Sequence, residues 1–318
     1  MRKAISNKRM LRAYSLMLVL LLSVSMLGAG VSAETVSPIK GISVTLGGDL
    51  TVNFRAEVVD TEGATMTFQV NSTTQTVPVT QARHIEENLY VFPCTIAPAQ
   101  MADTIEATLS DSGKTYEMST SVQAYAKQLL ASKQWDKLAA ADMMVATLNY
   151  GAATQKYFGY NTKNLANDGY EKAATAVVPE IGSPSISGSA DGITFYGASL
   201  LLENRIALRF YFNVSGNIED YTFSAGKKPV FRNGLYFVEV PDINPQDYDE
   251  AITLTVSSAN GTLSVSYSPM HYISRMYKET GNAKLKTLLQ ELYQYHLTAV
   301  DYLADPYGND MDNLVVAQ

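Results

Sequence analysis

Alternating hydrophobic and polar residues predict short β-strands in two separate stretches of the chain. The runs 50–54 and 206–212 carry Leu, Val, Ile and Phe at every second position, and Gly47-Gly48-Asp49 forms a tight-turn sequence before the first run. Further strands are predicted at 65–70, 89–96, 104–110 and 115–118, and again at 221–225, 235–240, 251–257 and 262–267. Strands of this length and spacing are typical of a small β-sandwich of the immunoglobulin-like (Ig-like) type.

After each set of strands, the hydrophobic period lengthens to between three and four residues, which predicts helices. Ser121 and Ser268 are suitable N-caps for the first helix of each stretch. The stripes from Leu138 to Ala152 and from Leu285 to Ala299 predict a second helix. Gly159 is suited to end the longer of the two helices predicted after the first set of strands. A helical hairpin is therefore predicted after each sandwich.

The chain contains an internal repeat. Residues 96–152 align with 243–299 without a gap, and twelve of the 57 aligned positions are identical, where chance would give roughly three or four. Asp103 with Glu250 is the only pair of acidic residues in this alignment. The predicted fold class is α+β, with two tandem homologous modules, each a small Ig-like β-sandwich followed by a helical hairpin.

The N-terminus has the pattern of a secretory signal. A basic stretch from Arg2 to Arg12 precedes the apolar run Leu16–Leu27, and Val31-Ser32-Ala33 supplies the small residues of a cleavage site before Glu34. The run is shorter than the about 20 residues that a membrane span needs. We predict a secreted, extracellular protein, with an uncleaved N-terminal anchor as the alternative.

These patterns divide the chain into five predicted segments. The segments are a signal peptide at 1–33, a first module at 34–166, a linker at 167–191, a second module at 192–304 and a C-terminal tail at 305–318. The linker is predicted from its Gly, Ser and Pro content, which is typical of an extended connection.

Charge and cysteine content narrow the possible partners. The signal holds five of the 24 basic residues and none of the 31 acidic ones, so the mature chain carries a net charge of −12. Nucleic acids and anionic membranes require a basic surface, so we expect no nucleic-acid partner and no membrane contact after signal cleavage. Cys94 is the only cysteine, which excludes an intramolecular disulfide. Its strand-like flanks predict a buried, unreactive thiol.

The sequence contains no recognisable catalytic or metal-binding motif. The three histidines, at positions 84, 271 and 296, lack the spacing of metal ligands, and there is no Gly-x-Ser-x-Gly segment. The segment Asp310-Met311-Asp312-Asn313 lacks the glycine and distal glutamate of a calcium loop. We therefore predict no catalytic residue, no metal and no cofactor. A glycosidase needs only two carboxylates across a cleft, so sequence alone leaves that class open.

One cluster of aromatic and amide side chains is a candidate binding site. Tyr157 and Tyr160 lie near the predicted end of the long helix, Asn161 and Asn164 follow them, and Trp135 lies between the two predicted helices. Aromatic rings beside amides can hold a polar ligand. The same residues can instead lock a helix terminus through tyrosine packing and asparagine capping.

Two segments carry a resemblance to a known kind of module. Gly41–Asp49 (GISVTLGGD) and Leu148–Thr162 (LNYGAATQKYFGYNT) resemble an uncharacterised duplicated extracellular module of secreted and surface proteins from Gram-positive gut anaerobes. The resemblance covers most of residues 41–167 and, more loosely, 192–304. It implies an extracellular location and an accessory role, and it supplies no catalytic residues.

Three functional hypotheses follow. The first is a secreted, non-catalytic accessory protein that binds a polysaccharide or cell-envelope glycan; duplication favours it, because two weak sites on a short connection gain affinity together. The second is a structural component that binds another surface protein. The third is a secreted hydrolase with an unrecognised pair of acids.

Overall fold

The computed structural model describes residues 17–18, 37–131, 139–169 and 176–304. Within these residues the chain is mixed α+β, with four antiparallel sheets and four α-helices. We call residues 37–169 the first half and residues 176–304 the second half. The predicted α+β class is confirmed, and the paired sheets are consistent with β-sandwiches. The predicted C-terminal tail, and the predicted signal apart from residues 17–18, lie outside the described residues.

The first half contributes eight of the described strands, and a ninth precedes it. They are β1 (Met17–Leu18), β2 (Ile39–Leu46), β3 (Leu50–Glu57), β4 (Thr65–Val70), β5 (Thr73–Pro78), β6 (Arg83–Glu86), β7 (Leu89–Ile96), β8 (Ile105–Asp111) and β9 (Lys114–Thr120). The strands of the second half are β10 (Ser185–Ser189), β11 (Ile193–Leu201), β12 (Ala207–Val214), β13 (Thr222–Phe223), β14 (Val230–Arg232), β15 (Leu235–Val240), β16 (Ile252–Ser258) and β17 (Gly261–Tyr267).

The two sheets of the first half pack face to face. Their strand orders are β1-β2-β3-β7-β6 and β5-β4-β8-β9. Alternate residues of each strand point inward, so Phe54 of β3 meets Phe68 of β4 with ring centroids 5.0 Å apart. Cys94 of β7 lies in the same core and is fully buried, as its flanks predict.

The second half has a matching strand order. Its sheets run β11-β12-β15-β14 and β10-β17-β16-β13, so the first has the connectivity of β2-β3-β7-β6. In the other sheet, β13-β16-β17 corresponds to β4-β8-β9; the fourth strand lies beside β4 in the first half and beside β17 in the second. Phe212 and Phe223 join the two sheets with ring centroids 5.6 Å apart.

Each pair of sheets is followed by two helices. They are α1 (Val122–Ala131), α2 (Ala139–Phe158), α3 (Pro269–Glu279) and α4 (Ala283–Ala304). The predicted N-caps are confirmed, because Ser121 Oγ accepts from Ala124 N at 2.9 Å and Ser268 Oγ accepts from His271 N at 3.4 Å. Gly159, at φ +72°, ends α2 as predicted. In the described ranges, no helix combines the length and apolar character that crossing a membrane would require.

The two halves contact each other through their long helices and one turn. Helix α2 packs against α4, and the buried rings of Tyr150 and Tyr295 stack with centroids 5.6 Å apart and an interplanar angle of 9°. At the β2–β3 turn, Gly48 O accepts a hydrogen bond from Ile206 N at 3.3 Å. The first half therefore meets the second through both side chains and backbone.

Part of the predicted linker belongs to the second half. Residues 185–189 form β10, which pairs with β17 although all five of its residues are exposed. Before it, Ser274 Oγ of α3 donates to Pro179 O at 2.7 Å and accepts from Ile181 N at 3.0 Å. Backbone and side-chain hydrogen bonds hold this segment. Because such bonds do not require hydrophobic residues at regular intervals, the sequence pattern did not predict a strand here.

Candidate functional site

A polar depression opens on the first half where three segments meet. The β4–β5 turn supplies one wall, the 3₁₀ turn before β8 supplies another, and the chain after α2 supplies the third. The depression encloses about 520 Å³, which is within the range of about 300–1,000 Å³ of small-molecule sites. We call it the Asp103 pocket. Its lining side chains are Asn71, Ser72, Thr73, Gln100, Asp103, Tyr160 and Asn161.

Asp103 lies at the centre of this pocket and is buried, with 6% of its surface exposed. Its Oδ2 accepts hydrogen bonds from Tyr160 Oη and, at 2.8 Å, from Asn71 Nδ2. Its Oδ1 accepts from Asn161 Nδ2 at 2.8 Å. A buried carboxylate is tolerated when hydrogen bonds replace its water shell. Here three neutral donors do so.

Tyr160 is held in its protonated form. Burial raises the pKa of Tyr160, and the hydrogen bond and charge of Asp103 raise it further, against smaller opposing effects of Gln100 and Asn71. The hydroxyl therefore donates to the carboxylate and accepts from Asn71 Nδ2 at 2.7 Å. The Tyr160 hydroxyl thus bridges the Asn71 amide and the Asp103 carboxylate.

Two asparagines reach the pocket because their backbones are left-handed. Asn71 has φ +51° in the two-residue turn between β4 and β5, and Asn161 has φ +43° just after the Gly159 terminus of α2. Asparagine tolerates this conformation better than most residues because its short amide bonds locally. The turn and the helix terminus thus aim both amides at Asp103.

A second layer of amides fixes the loop behind the pocket. The buried Gln155 donates to Asn164 O at 2.9 Å and accepts from Ala166 N at 2.7 Å. Gln123 of α1 donates to Leu165 O at 2.7 Å. These glutamines satisfy backbone groups of residues 164–166 and so hold the loop that follows α2.

The structure brings together only part of the predicted cluster. Tyr160 and Asn161 line the pocket, while Asn164 lies behind it and donates to Ala102 O at 3.3 Å. Tyr157 does not line it; its ring packs partly buried against the core, edge-on to Phe158 at 4.8 Å. Trp135 lies outside the described residues. These contacts are those of the helix-terminus interpretation, and ligand binding by these residues stays a prediction.

Five residues that line the pocket were not among the predicted site residues: Asn71, Ser72, Thr73, Gln100 and Asp103. Asn71 and Gln100 come from distant parts of the chain, and no spacing rule joins them to Tyr160. Asp103 had a detectable signal, because it forms the only acidic pair in the repeat alignment with Glu250. A single aligned pair of acidic residues next to a predicted strand is equally typical of a strand edge. Asp103 does lie just before β8.

The other candidate groups have local structural partners. Each histidine forms a hydrogen bond with a nearby protein group. His84 Nε2 lies 2.8 Å from Glu87 O, and His271 Nδ1 lies 2.7 Å from Ser268 Oγ. His296 Nδ1 lies 2.6 Å from Pro245 O. Burial lowers the pKa of His271. In the part of the chain that the structure describes, no three His, Cys, Asp or Glu side chains are grouped as metal ligands. The acidic residues at 305, 310 and 312 lie outside it.

No protein-family model matches this chain, and no curated protein matches it. The Asp103 pocket consists of amide and hydroxyl groups around a buried carboxylate, and it is open to solvent. Such groups recognise a ligand by hydrogen bonds.

Proposed function

We propose that this chain is a secreted, non-catalytic accessory protein that binds glycans of the cell envelope. It consists of two tandem homologous modules, each an Ig-like β-sandwich followed by a helical hairpin. The observation that carries the proposal is the Asp103 pocket, in which amides from three segments are fixed around one carboxylate. The resemblance to extracellular modules of Gram-positive anaerobes agrees with this role.

The groups at the rim match the hydrogen-bonding needs of a sugar. A saccharide presents hydroxyls that both donate and accept, and the rim alternates amides with the hydroxyls of Ser72 and Thr73. Four rim residues are exposed, so their remaining hydrogen-bonding groups face solvent; they are Asn71, Ser72, Thr73 and Asn161. Because Asp103 and Gln155 already fix this rim, little conformational entropy is lost on binding.

The hydrogen bonds of Asp103 support a binding role. Its two oxygens accept three bonds from side-chain donors, so the carboxylate holds Asn71, Tyr160 and Asn161 in place. We therefore assign Asp103 the role of an anchor for the amides that contact the ligand.

A duplicated architecture is supported by features beyond the identical residues. β8 and β16 begin at Ile105 and Ile252, and α1 and α3 begin at Val122 and Pro269, each pair separated by the offset of the sequence repeat. At the same offset, Tyr160 corresponds to Tyr307 in the sequence, which lies outside the described residues.

A glycan array with mature residues 34–318 tests the proposal. Asn71→Gly removes the amide but keeps the left-handed backbone, since glycine adopts positive φ freely. We expect about a tenfold loss of affinity, because the amide contacts the ligand and also orients Asp103 and Tyr160. Ser112→Gly is the matched control, as Ser112 has φ +49° in the exposed β8–β9 turn at the other end of that sheet.

Two results would contradict this proposal. One is equal binding by the wild type and Asn71→Gly, which would remove the pocket from recognition. The other is no binding to any glycan on the array by a folded protein, which would favour a partner that is another surface protein.

A further inference from the structure

The carboxylate of Asp103 fixes the orientation of the two asparagine amides that contact it. An ionised carboxylate only accepts hydrogen bonds, so Asn71 and Asn161 each turn Nδ2 towards Asp103, at 2.8 Å in both cases. The carbonyl oxygen Oδ1 of each amide therefore points away from the carboxylate. Neither Oδ1 accepts a hydrogen bond from any residue that the structure describes. Two fixed acceptors are thus left at the rim of the pocket.

Several donors of the pocket are already used within the protein. Asn71 donates one Nδ2 hydrogen to Asp103 and the other to Tyr160 Oη at 2.7 Å. The Tyr160 hydroxyl donates its only hydrogen to Asp103. Asn71 therefore offers a ligand only its Oδ1 acceptor. Ser72 and Thr73 add hydroxyls, which accept as well as donate.

The pocket contains an acidic side chain and no basic one. Its lining residues include Asp103 and no Lys, Arg or His. None of the ion pairs among the described residues involves Asp103. Lys163, the nearest basic residue along the following loop, is exposed and does not line the pocket.

The charge of Asp103 is therefore not cancelled by a cation of the pocket. Neutral donors replace the water around a buried carboxylate, but they leave its charge in place. The whole chain is also acidic, with a formal net charge of −7. Both contributions give the open side of the pocket a negative potential, which attracts cations.

We propose that the Asp103 pocket selects an amino sugar that carries a free ammonium group. This inference rests on the proposed function and names the class of glycan that the site binds. An ammonium has three donors and no acceptor, so it suits the Oδ1 atoms of Asn71 and Asn161. Asp103 attracts it through its charge, because both carboxylate oxygens are already bonded to protein groups. Acetylation of the amine removes the charge and adds a carbonyl acceptor, which these oxygens repel.

Calorimetric titration of mature residues 34–318 with a glucosamine trimer tests this inference. The N-acetylglucosamine trimer of the same linkage has the rings without the charge, and a lysine trimer has the charge without the rings. At about pH 6, where primary amines are protonated, we expect the glucosamine trimer to bind about tenfold more tightly than either. Its affinity should fall when sodium chloride rises from about 0.1 M to about 1 M, because the Debye length shortens from about 10 to about 3 Å.

Two variants change the charge of the pocket in different ways. Asp103→Asn removes the charge at nearly constant size, so it should bind the glucosamine and N-acetylglucosamine trimers with similar affinity. Ser72→Lys adds an ammonium at the exposed rim and leaves the hydrogen bonds of Asp103 in place. We expect it to weaken binding of the glucosamine trimer about tenfold. The melting temperature of each variant shows whether it is folded.

Thr115→Lys is the matched control for Ser72→Lys. Thr115 is exposed on β9 and pairs with Ser110, at the end of β8 that is remote from Asp103. The variant adds the same charge to the protein without placing it at the pocket. It should therefore bind the glucosamine trimer like the wild type.

Three outcomes would overturn this inference. They are equal or tighter binding of the N-acetylglucosamine trimer, equal binding of the lysine trimer, and unchanged binding of the glucosamine trimer by folded Ser72→Lys. If the N-acetylglucosamine trimer binds more tightly and Asn71→Gly weakens it, only the ammonium is refuted and the glycan-binding proposal stands. If the folded protein binds no glycan, both are refuted.

Discussion

At the scale of single residues, Cys94 shows how burial controls reactivity. Its side chain is fully buried in the core of the first half, and desolvation raises its pKa to about 12. The thiolate is the reactive form, so almost none is present near neutral pH. We expect a chromogenic disulfide reagent at pH 8 to leave the native protein unlabelled and to label one thiol after unfolding in guanidinium. Stoichiometric labelling of the folded protein would contradict this.

Gly48 is required by a close backbone approach between the halves. A Cβ at this position would lie 2.5 Å from both Cα and C of Asp242, and backbone atoms cannot move aside cheaply. We expect Gly48→Ala to lower the free energy of unfolding by about 1–3 kcal/mol, the usual cost of overpacking. Chemical denaturation measures it. Gly281→Ala is the control, because nothing lies within 4 Å of its added Cβ; equal stability of the two variants would refute the contact.

The candidate site was partly predictable at this scale. Tyr160 and Asn161 follow one another near a helix end, so a local sequence pattern finds them. Asn71 reaches the same carboxylate from a turn that lies 89 residues before Tyr160 in the chain. Only the pairing of β4 with β8 brings that turn to Asp103. Such a contact depends on tertiary structure, which no local pattern contains.

At the scale of elements, the β2–β3 turn forms an electrostatic contact with the second half. Burial raises the pKa of Asp49 above its usual value near 3.8, and the charge of Asp242 raises it further, while Arg205 opposes both. The folded state therefore holds this proton more tightly than the unfolded state. Above the pKa that Asp49 has in the unfolded chain, this difference lowers the free energy of unfolding. The loss grows with pH until the pH exceeds the pKa of Asp49 in the folded protein.

This linkage predicts a pH-dependent effect of Asp49→Asn. The variant should gain stability relative to the wild type as pH rises from below about 3.8 towards neutrality. Denaturation midpoints measured across that range test it. Asp249→Asn, at an exposed position of the second half, serves as the control. A constant difference between Asp49→Asn and the wild type at every pH would contradict the linkage.

Sequence periodicity predicted most strands that have buried residues, but it gave no strand bounds for β2, β5 and β11 and none for the exposed edge strands. The strands at 65–70, 89–96 and 235–240 have the predicted bounds, and each contains buried residues. β6, β10 and β14 are edge strands whose residues are all exposed. Ladder hydrogen bonds to a neighbour hold them, and these bonds place no constraint on side-chain type. The predicted strand at 221–225 is shorter, because a 3₁₀ turn begins at Ser224.

At the scale of the whole molecule, the packing of α2 on α4 should make the two halves unfold together. Tyr150 and Tyr295 stack in this interface and are both buried. Loss of a buried aromatic ring costs about 3–5 kcal/mol. Trp135 is the only tryptophan and belongs to the sequence of the first module, so its fluorescence reports on that module.

We expect Tyr295→Ala, in the second half, to lower the unfolding midpoint reported by Trp135 as much as the midpoint reported by far-ultraviolet circular dichroism. Coincidence of the two probes indicates one cooperative transition. Tyr196→Ala removes a ring that is 67% exposed in the same half, and it should change neither midpoint. Two separate transitions, with the Trp135 midpoint unaffected by Tyr295→Ala, would show that the halves are energetically independent.

The central claim is that the Asp103 pocket recognises a cell-envelope glycan. Sedimentation of mature residues 34–318 with purified Gram-positive cell walls, as a full binding isotherm, tests it most directly. The account predicts saturable binding that weakens about tenfold in the double variant Asn71→Gly, Asn161→Gly, where both left-handed positions keep their backbone. Ser112→Gly should bind like the wild type. An isotherm that is the same for all three folded proteins, or no binding by any of them, would contradict the claim.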